Sequence, residues 1–543
     1  MNEHLSAFRV NQEGYAAGLP VSVAALTREP VILKNNAGVT VRRIIPEAAG
    51  TDPASGDDVA LICLGRLEAG SYMLESGPER RELTVLGNAW DKVTHGLIKG
   101  LYYQRCGCEL NPVCAGRYSH PPCHMAPATD WENHSIRRLV TGGWHDAGDY
   151  GKYVAPGAVT VGHMLYAWKL FPRGCSGNLN IPESGNGLPD ILNEARYELE
   201  WMLRMQRDDG GFYHKLTKTH FAPFIMPQDD LDPEYLMPVS HCATADACAC
   251  LALASRVFHA FDEEFADRMM QSARKAWQWL RKHPDFVPFV NPEGVRTGWY
   301  GDRSDLDERF WAACEMYAST KEPEYREIAE KLYGAGQHLT RFGWADVGGM
   351  GALCCLFDLR EEAGEILYTG LREDFLRQSE YAFTLSEKSG YGTALAPEQY
   401  IWGSILPVMS NAMAMILNSL LTGRRDMQEA ALLQWHYALG MNALDICFVT
   451  GFGERSVQNP HHRPSGADGI KAPVPGLISG GPNKAHGYPQ TREKLGTDTP
   501  PAKYFLDETP SADTNEIAIY WNSPAIFTGA YFNMLSMEMA DSI

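Results

Sequence analysis

"DILNEARYELEWMLRMQ", residues 190–206, sets the fold class. Ile191, Leu192, Ala195, Leu199 and Met202 recur at spacings of three and four, which places them on one face of an α-helix. The same period runs through "AVTVGHMLYAWKLF" (158–171), "ATADACACLALASRVF" (243–258), "FADRMMQSARKAWQWLRKH" (265–283), "RFWAACEMYAST" (309–320), "YREIAEKLYGAG" (325–336) and "SNAMAMILNSLLTG" (410–423). From about residue 157 the chain therefore reads as helices joined by long Gly/Pro-rich loops. No short sequence repeat is visible, but helices of similar length can form hairpins that close into a barrel. Residues 440–515 read as loop, and long loops inside a compact domain commonly carry function.

The first 87 residues have a different period. "VSVAAL", "PVILKN", "ALICLG", "GSYMLES" and "RELTVLG" are short β-rich runs separated by Gly, Pro, Asn and Asp turn signals. They predict a small antiparallel sandwich. The expected division is a β-sandwich over 1–87 and a helical domain over 88–543, a fair reading of 543 residues.

Composition excludes several classes. Hydrophobic residues at 45% and charged residues at 21% are globular values. A net charge of −19 argues against nucleic acid, whose phosphates need a basic surface. "MNEHLSAFRVNQEGY" has neither the basic nor the apolar region of a secretory signal. The most apolar stretch, residues 401–421, is broken by Ser, Pro and Asn and fits a buried helix better than a membrane span. A cytoplasmic location, no membrane partner and a monomer are the expectations, with secretion left open. The 13 cysteines are odd in number and irregularly spaced, which favours reduced thiols and a metal site over disulfides.

Five segments carry chemistry. In "TGGWHDAGDYGKYV" (141–154), Asp146 and Asp149 lie between Gly142, Gly143, Gly148 and Gly151, which allow tight turns and close ligand approach. Two acids so close repel when both ionise, so one holds a shifted pKa or orients a water for the other. Alone, the stretch reads equally well as a solvated Asp-Gly loop. Glu516, in "ADTNEIAIYWNSPAIFTGAYF", opens an apolar run that would raise its pKa toward that of a general acid, and a helix-start glutamate is the alternative. "QRCGCELNPVCAGRYSHPPCH" (104–124) collects Cys106, Cys108, Cys114, Cys123, His120 and His124, donors that suit tetrahedral Zn²⁺ though not at finger spacing. "YGDRSDLDERFW" (300–311) packs Asp302, Asp305, Asp307 and Glu308 into seven residues, either a Ca²⁺ site or a capped helix start. His461, His462 and Arg463, in "NPHHRPS", form a polar loop patch that could donate to a hydroxyl-rich ligand.

The order of "GGWHDAGDYGKYV", "NGLPDILNEARYELEWMLRMQ", "DERFWAACEMY", "VTGFGERSVQNPHHRPS" and "NEIAIYWNSPAIFTGAYF" resembles glycoside hydrolase family 9, the inverting β-1,4-glucanases and cellodextrinases. "FRVNQEGY" resembles the start of the immunoglobulin-like domain of one branch. The resemblance covers roughly residues 90–543 and implies an (α/α)6-barrel catalytic domain behind an immunoglobulin-like sandwich. It makes Asp149 the general base, Asp146 its helper in holding the water and Glu516 the general acid. It places His461 and Arg463 on sugar hydroxyls, and Trp402 and Tyr520 near the cleft. It implies a structural zinc held by Cys106, Cys123, His124 and His145, with His120 and Cys108 as substitutes for His145 and Cys106. It implies a calcium held by Ser304, Asp307, Glu308 and Asp346. Trp144, Tyr300 and Trp521 are further aromatic candidates for the cleft or for the core. The "SADTNE" segment departs from the family pattern, which often has a Tyr shortly before the Asn-Glu pair; here the nearest upstream aromatic is Phe505. The expected substrate is a soluble β-glucan or cello-oligosaccharide. The alternatives are an exo-acting β-glycosidase and a non-catalytic carbohydrate-binding relative.

Overall fold

A computed structural model describes residues 6–46, 50–335 and 339–541. Strands β1 (Phe8–Arg9), β2 (Tyr15–Ala16), β3 (Pro20–Ala25), β4 (Val31–Asn35), β5 (Thr40–Ile44), β6 (Ala60–Arg66), β7 (Gly70–Ser76) and β8 (Glu79–Leu86) form two sheets. One has the order β1-β3-β6 and the other β2-β8-β7-β4-β5. Pairing is antiparallel except between β2 and β8. Their inner faces share a core of Phe8, Tyr15, Val21, Val23, Leu33, Ile62, Leu64, Leu74 and Val85, an arrangement consistent with an immunoglobulin-like sandwich. β6 alternates buried Ala60, Ile62 and Leu64 with exposed Leu61 and Cys63, the period-two signature that "ALICLG" carries. β3 is buried on both faces, because Ala24 turns away from the sandwich into the core of the helical region. β5 has no such signature: it is an edge strand, mostly exposed, and bears Arg42 and Arg43, charges that guard a sheet edge.

The rest is an (α/α)6 barrel. Its helices are α1 (Asp91–Tyr103), α2 (Val154–Leu170), α3 (Asp190–Arg204), α4 (His241–Phe258), α5 (Glu263–Lys282), α6 (Leu306–Thr320), α7 (Pro323–Tyr333), α8 (Gly348–Leu353), α9 (Glu365–Lys388), α10 (Ile405–Thr422), α11 (Arg425–Ala438) and α12 (Ile519–Asp541). Burial separates them into two alternating sets. α2, α4 and the first half of α12 are buried around their whole circumference, as helices of an inner ring must be. α3 and α5 bury one stripe, which for α5 includes Phe265, Met269, Ala273, Ala276 and Leu280. α5 is also built for its position. Asp262 caps it by accepting from the Phe265 N–H, Glu263 and Glu264 face its N-terminus, and Arg281 and Lys282 its C-terminus. α10 alone among the described residues is long and apolar enough to cross a membrane, and here it packs against α9, α11 and α12. The sandwich docks on the barrel through polar contacts as well as apolar ones. Asn11 Nδ2 lies 2.9 Å from His436 Nδ1, the Gln12 N–H donates to the Leu439 carbonyl at 2.9 Å, and the Trp90 indole donates to the Gly14 carbonyl at 3.1 Å.

Beneath the glycine-rich loop after residue 141 lies a buried ion-pair network. The Arg105 guanidinium binds both Glu194 oxygens (3.0 and 2.9 Å) and both Glu183 oxygens (3.0 Å each). Trp144 donates its indole N–H to Glu194 at 2.8 Å and its backbone N–H to Glu198 at 2.7 Å. Trp144 is therefore a core residue that fixes the loop, not a sugar platform. Trp521 is likewise core, enclosed in the first half of α12. Removing one partner of a buried pair leaves the other charge uncompensated, typically at a cost of about 3–5 kcal/mol. Glu194→Ala is expected to lose stability on that scale, read as a lower denaturant midpoint at unchanged slope.

Candidate active site and metal centre

The loop that carries Asp146 and Asp149 is closed on itself and laced to two distant segments. The Asp146 N–H donates to the Gly151 carbonyl at 2.9 Å, making the Asp146–Gly151 turn. Gly148 passes so close to the 461–463 loop that a Cβ would stand 1.9 Å from the His461 carbonyl oxygen, so only glycine fits. Its own carbonyl accepts from Arg463 twice, from the backbone N–H at 3.0 Å and from Nη1 at 2.7 Å. Single bridges pair Ala147 with Ala518, His461 with Glu516 and Ser479 with Ile517, and the Ile519 N–H donates to the Asp146 carbonyl at 2.9 Å. Glu516 thus follows the short turn Ala512–Asn515 and precedes α12 in an extended conformation. It is not a first-turn glutamate of that helix.

The three carboxyl groups feel one another, and their surroundings set them apart. Asp146 is buried; its Oδ2 accepts from the Tyr300 hydroxyl at 2.6 Å and its Oδ1 has no partner. Burial pushes its pKa well above the carboxylate range, the Tyr300 bond opposes this, and the Asp149 charge adds to it. Asp149 is also raised by burial, but Arg463, the Gly151 N–H (3.0 Å) and Lys215 pull it back toward the ionised form. Glu516 is raised to about 8, first by burial and then by the Asp149 and Asp146 charges, and the Trp402 indole that donates to its Oε2 at 3.2 Å only partly offsets this. Near neutral pH the site therefore favours a protonated Glu516, with the Arg463 guanidinium beside Asp149, while burial lowers the Lys215 amine to about 7.

The other predicted contacts fall around these acids. His461 Nδ1 lies 2.7 Å from the Thr509 carbonyl, so it carries the proton and leaves Nε2 as an acceptor. Arg463 spends its Nε–H on the Ala222 carbonyl at 2.7 Å. Tyr520 is buried, with its hydroxyl 3.4 Å from that of Tyr300. Of two further participants, Tyr300 is one of the aromatic candidates for the cleft and Lys215 has no sequence signal. Tyr300 holds a left-handed φ of +47°, a strained backbone that delivers its hydroxyl to Asp146. Lys215 lies 66 residues after Asp149 in the chain and is fully buried. A second sheet region comprises β9 (Ala128–Asp130), β10 (Arg137–Arg138), β11 (Lys152–Tyr153), β12 (Lys215–Thr217) and β13 (Tyr235–Leu236); Lys215 pairs there with Tyr153 between β11 and β12, and its amine donates to Asn291 Oδ1 (2.7 Å) and the Gly298 carbonyl (2.5 Å). It thereby ties down the loop that ends in Tyr300.

Cys106, Cys123, His124 and His145 bring their donor atoms within 4.8 Å of one another. A four-coordinate ion bound at ~2.3 Å by sulfur and ~2.0–2.1 Å by nitrogen requires S···N and N···N edges of about 3.6 and 3.4 Å. Cys106 Sγ to His124 Nδ1 is 3.6 Å, and His145 Nε2 to His124 Nδ1 is 3.4 Å, so the set fits such an ion. Outer partners are in place: His124 Nε2 lies 3.3 Å from Asp230 Oδ2, and the buried Lys152 amine donates to Cys106 Sγ at 3.3 Å. His120 instead bonds the Pro121 carbonyl at 2.7 Å, and Cys108 lies outside the set. The acids of the 300–311 loop make a looser cluster. Both Glu308 oxygens and one oxygen each of Asp302 and Asp346 are buried without a partner, and Asp307 accepts from the Val347 N–H at 2.7 Å. The Ser304 carbonyl accepts a long 3.6 Å contact from the Cys242 thiol. Asp305 faces away, paired with Arg309 at 2.6 Å. Asp246 on α4 joins the cluster with both oxygens buried and unpartnered, its pKa raised by burial, Asp307 and Asp302. The alanine- and cysteine-rich "ATADACAC" gave no hint of it. Glu315, Cys354 and Asp358 also converge, but Arg256, Lys169, Tyr166 and Trp311 occupy the two carboxylates, so that set is a buried ion-pair network.

A helical barrel that gathers three buried carboxyl groups, with histidine and arginine donors beside them, suits the two-carboxyl chemistry of glycoside hydrolysis. The chain matches the family described as Glycosyl hydrolase family 9 over residues 90–529, and it belongs to that family. It is 37% identical over 501 residues to a protein named Cellodextrinase from Butyrivibrio fibrisolvens, spanning 89% of this chain and 91% of that one. It superposes on the structure of AaCel9A in complex with cellobiose-like isofagomine with a TM-score of 0.91 and 32% identity, covering 97% and 99% of the two chains. A Zn-binding triple mutant of GH family 9 endoglucanase J30 aligns with a TM-score of 0.88 and 29% identity, over 94% and 98%.

A cobalt probe tests the geometry of the thiolate–imidazole set without reference to activity. Chelated protein reloaded with Co²⁺ is expected to show an intense thiolate-to-cobalt band and tetrahedral visible bands, and Cys123→Ser to weaken both. Octahedral spectra without a thiolate band would refute the four-ligand set.

Proposed function

We propose that this chain hydrolyses β-1,4-glucosidic bonds of soluble cello-oligosaccharides with inversion at the anomeric carbon. The observation that carries the reading is the lacing of the Asp149 turn, the 461–463 loop and the extended Glu516 segment into one buried site, through the Arg463 bonds to the Gly148 carbonyl and the His461–Glu516 bridge. Glu516, kept protonated by burial and by its acidic neighbours, gives its proton to the departing glycosidic oxygen. Asp149, held toward ionisation by Arg463 and Lys215, takes a proton from a water on the opposite face of the sugar, and Asp146 with Tyr300 orients that water. Such a pair needs carboxyls ~6.5–9.5 Å apart to admit the water. His461 Nε2 accepts from a sugar hydroxyl, and Arg463 and Trp402 line the neighbouring subsites. The relatives support the substrate class, since one is named a cellodextrinase and one was solved with a cellobiose-like inhibitor.

Asp149→Asn is expected to lower turnover of both cellotetraose and β-cellobiosyl fluoride by ~10²–10⁴. Glu516→Gln should do so for cellotetraose only, because fluoride departs with little help from an acid. Near-normal cellotetraose turnover by either variant would remove its residue from the proposed role. Proton NMR of early product should show the α-anomer first, and an initial β-anomer would mean a covalent intermediate instead.

The pH dependence follows from the same groups. Glu516 must keep its proton, so kcat/KM of the free enzyme should fall as pH rises through about 8. Asp149 must be ionised, so an acid limb lies above its ordinary carboxylate value. A basic limb on cellotetraose that is absent when the same wild-type enzyme hydrolyses the fluoride is the check.

For the metals the reading is zinc at Cys106, Cys123, His124 and His145, and calcium at Ser304, Asp307, Glu308 and Asp346 with Asp246 beside them. Zinc there would supply a structural cross-link, because all four positions are filled by protein. The zinc-binding mutant relative and the donor geometry support it. Elemental analysis should find zinc near one equivalent per chain. Calcium added back to chelated protein should raise Tm while leaving kcat nearly unchanged.

A further inference from the structure

We propose that Tyr153 is a positioning residue for Asp149: its hydroxyl holds the Oδ2 oxygen from behind through one buried water, and so assigns Oδ1 to the reacting water. The inference rests on the reading of Asp149 as the general base and deepens it. Tyr153 is buried, and its hydroxyl has no hydrogen-bond partner among the described residues. A buried hydroxyl left unpaired is costly, so one that stands beside reacting groups calls for a reason. The groups that face it are the Asp149 and Asp146 carboxyls, the Thr297 hydroxyl and the Glu516 carboxyl.

Gly151 supplies the room. A Cβ built on it would stand 2.9 Å from Asp149 Oδ2 and 3.0 Å from the Tyr153 hydroxyl oxygen. Both oxygens are thus within hydrogen-bonding distance of one place, the place where a side chain on residue 151 would begin. They make no direct bond, and the gap between them is about one water wide. Asp149 and Gly151 also line, with Thr217 and Thr297, a cavity that just admits one water.

The ring is locked in place. Successive residues of β11 face opposite ways, so Lys152 reaches the Cys106 sulfur while Tyr153 turns to the carboxyls. Tyr153 pairs with Lys215 across the β11–β12 ladder, and the Lys215 amine lies 5.4 Å from the centroid of its ring. The Tyr300 ring packs on it with centroids 4.6 Å apart and planes inclined at 59°. Asp149 Oδ2 already accepts from the Gly151 N–H at 3.0 Å. A water that accepts from Tyr153 and donates to Oδ2 gives that oxygen a second donor. Two donors on one oxygen fix the plane of the carboxyl group and favour its ionised form.

Tyr153→Phe removes the hydroxyl and keeps the ring. Asp149→Asn is scored first, since near-normal turnover there would remove the base reading and this inference with it. The variant leaves in place the charged groups that face Asp149, which are Arg463, Lys215, Asp146 and Glu516. It also leaves Lys218, His220, Asp230 and Glu234, which line the small cavity. Losing a donor to the ionised form favours the neutral form. The acid limb of kcat/KM should therefore move up by about one pH unit, the scale of one hydrogen bond to a charged group. It should do so on cellotetraose and on the fluoride alike, with KM little changed and Tm within a few degrees of wild type. A crystal structure of the wild type should show one water within hydrogen-bonding distance of both Asp149 Oδ2 and the Tyr153 hydroxyl, a readout that needs no activity. An acid limb that stays at its wild-type position would overturn the proposal. So would a raised KM with the limb unmoved, which would put the hydroxyl on the sugar, or a wild-type crystal structure with no water between the two oxygens.

Discussion

The site depends on one backbone contact, the approach of Gly148 to the His461 carbonyl. It brings the 146–151 turn against the 461–463 loop, and the two Arg463 bonds to the Gly148 carbonyl close it. The same lacing continues through the His461–Glu516 and Ala147–Ala518 bridges. Asp149 and Glu516 come from segments more than 360 residues apart in the chain, yet they are fixed by main chain rather than by long side chains. Carboxyls held by main chain keep their spacing when they ionise and repel. An inverting mechanism needs that rigidity, since the gap between the acids must admit one water.

Below that contact, buried charge does structural work that apolar packing would not do. Arg105 with Glu194 and Glu183 supports Trp144, and Lys152 supports the Cys106 sulfur from inside the same loop. Lys215 does the same for the loop that ends in Tyr300. Buried pairs of this kind add little net stability over well-packed hydrophobic groups. What they add here is direction: each one fixes a polypeptide segment whose next residues face the reacting carboxyls. The thiolate–imidazole set belongs to this support. His145 is the neighbour of Asp146, and the Gln104 side chain donates to the carbonyls of His145 and Ala147, so a metal ligand and a catalytic candidate share one clamped stretch.

Local pattern revealed the fold, because it is written in short windows, and the family resemblance singled out the acids. Period-3.6 runs marked α3 and α5, and period-two runs marked β6. The "HDAGD" and "NE" segments placed Asp146, Asp149 and Glu516. What stayed hidden shares one physical cause, dependence on partners far along the chain. Lys215 reads as an ordinary lysine until the β11–β12 pairing sets it beside Tyr153. Asp246 sits in a run of alanines and cysteines, and its role appears only when Asp302 and Asp307 fold over it. Trp144 and Trp521 could have been platforms or core, and only their burial decides for core. β5 escaped because an edge strand protected by arginines has no alternation to show.

The missing aromatic before the Asn-Glu pair belongs to the same argument. In "SADTNE" the local pattern lacks a ring and leaves the subsite undefined, but Asp513 in that segment is an acceptor, not a platform. By binding the Tyr488 N–H it recruits an aromatic from a loop about twenty-five residues upstream. A short polar residue at a turn can thus stand in for a large side chain by fixing where another segment presents one. Glu516 is held by its main chain and by Trp402, and the ring beyond Trp402 sits on a loop that Asp513 ties to the segment leading into that carboxyl.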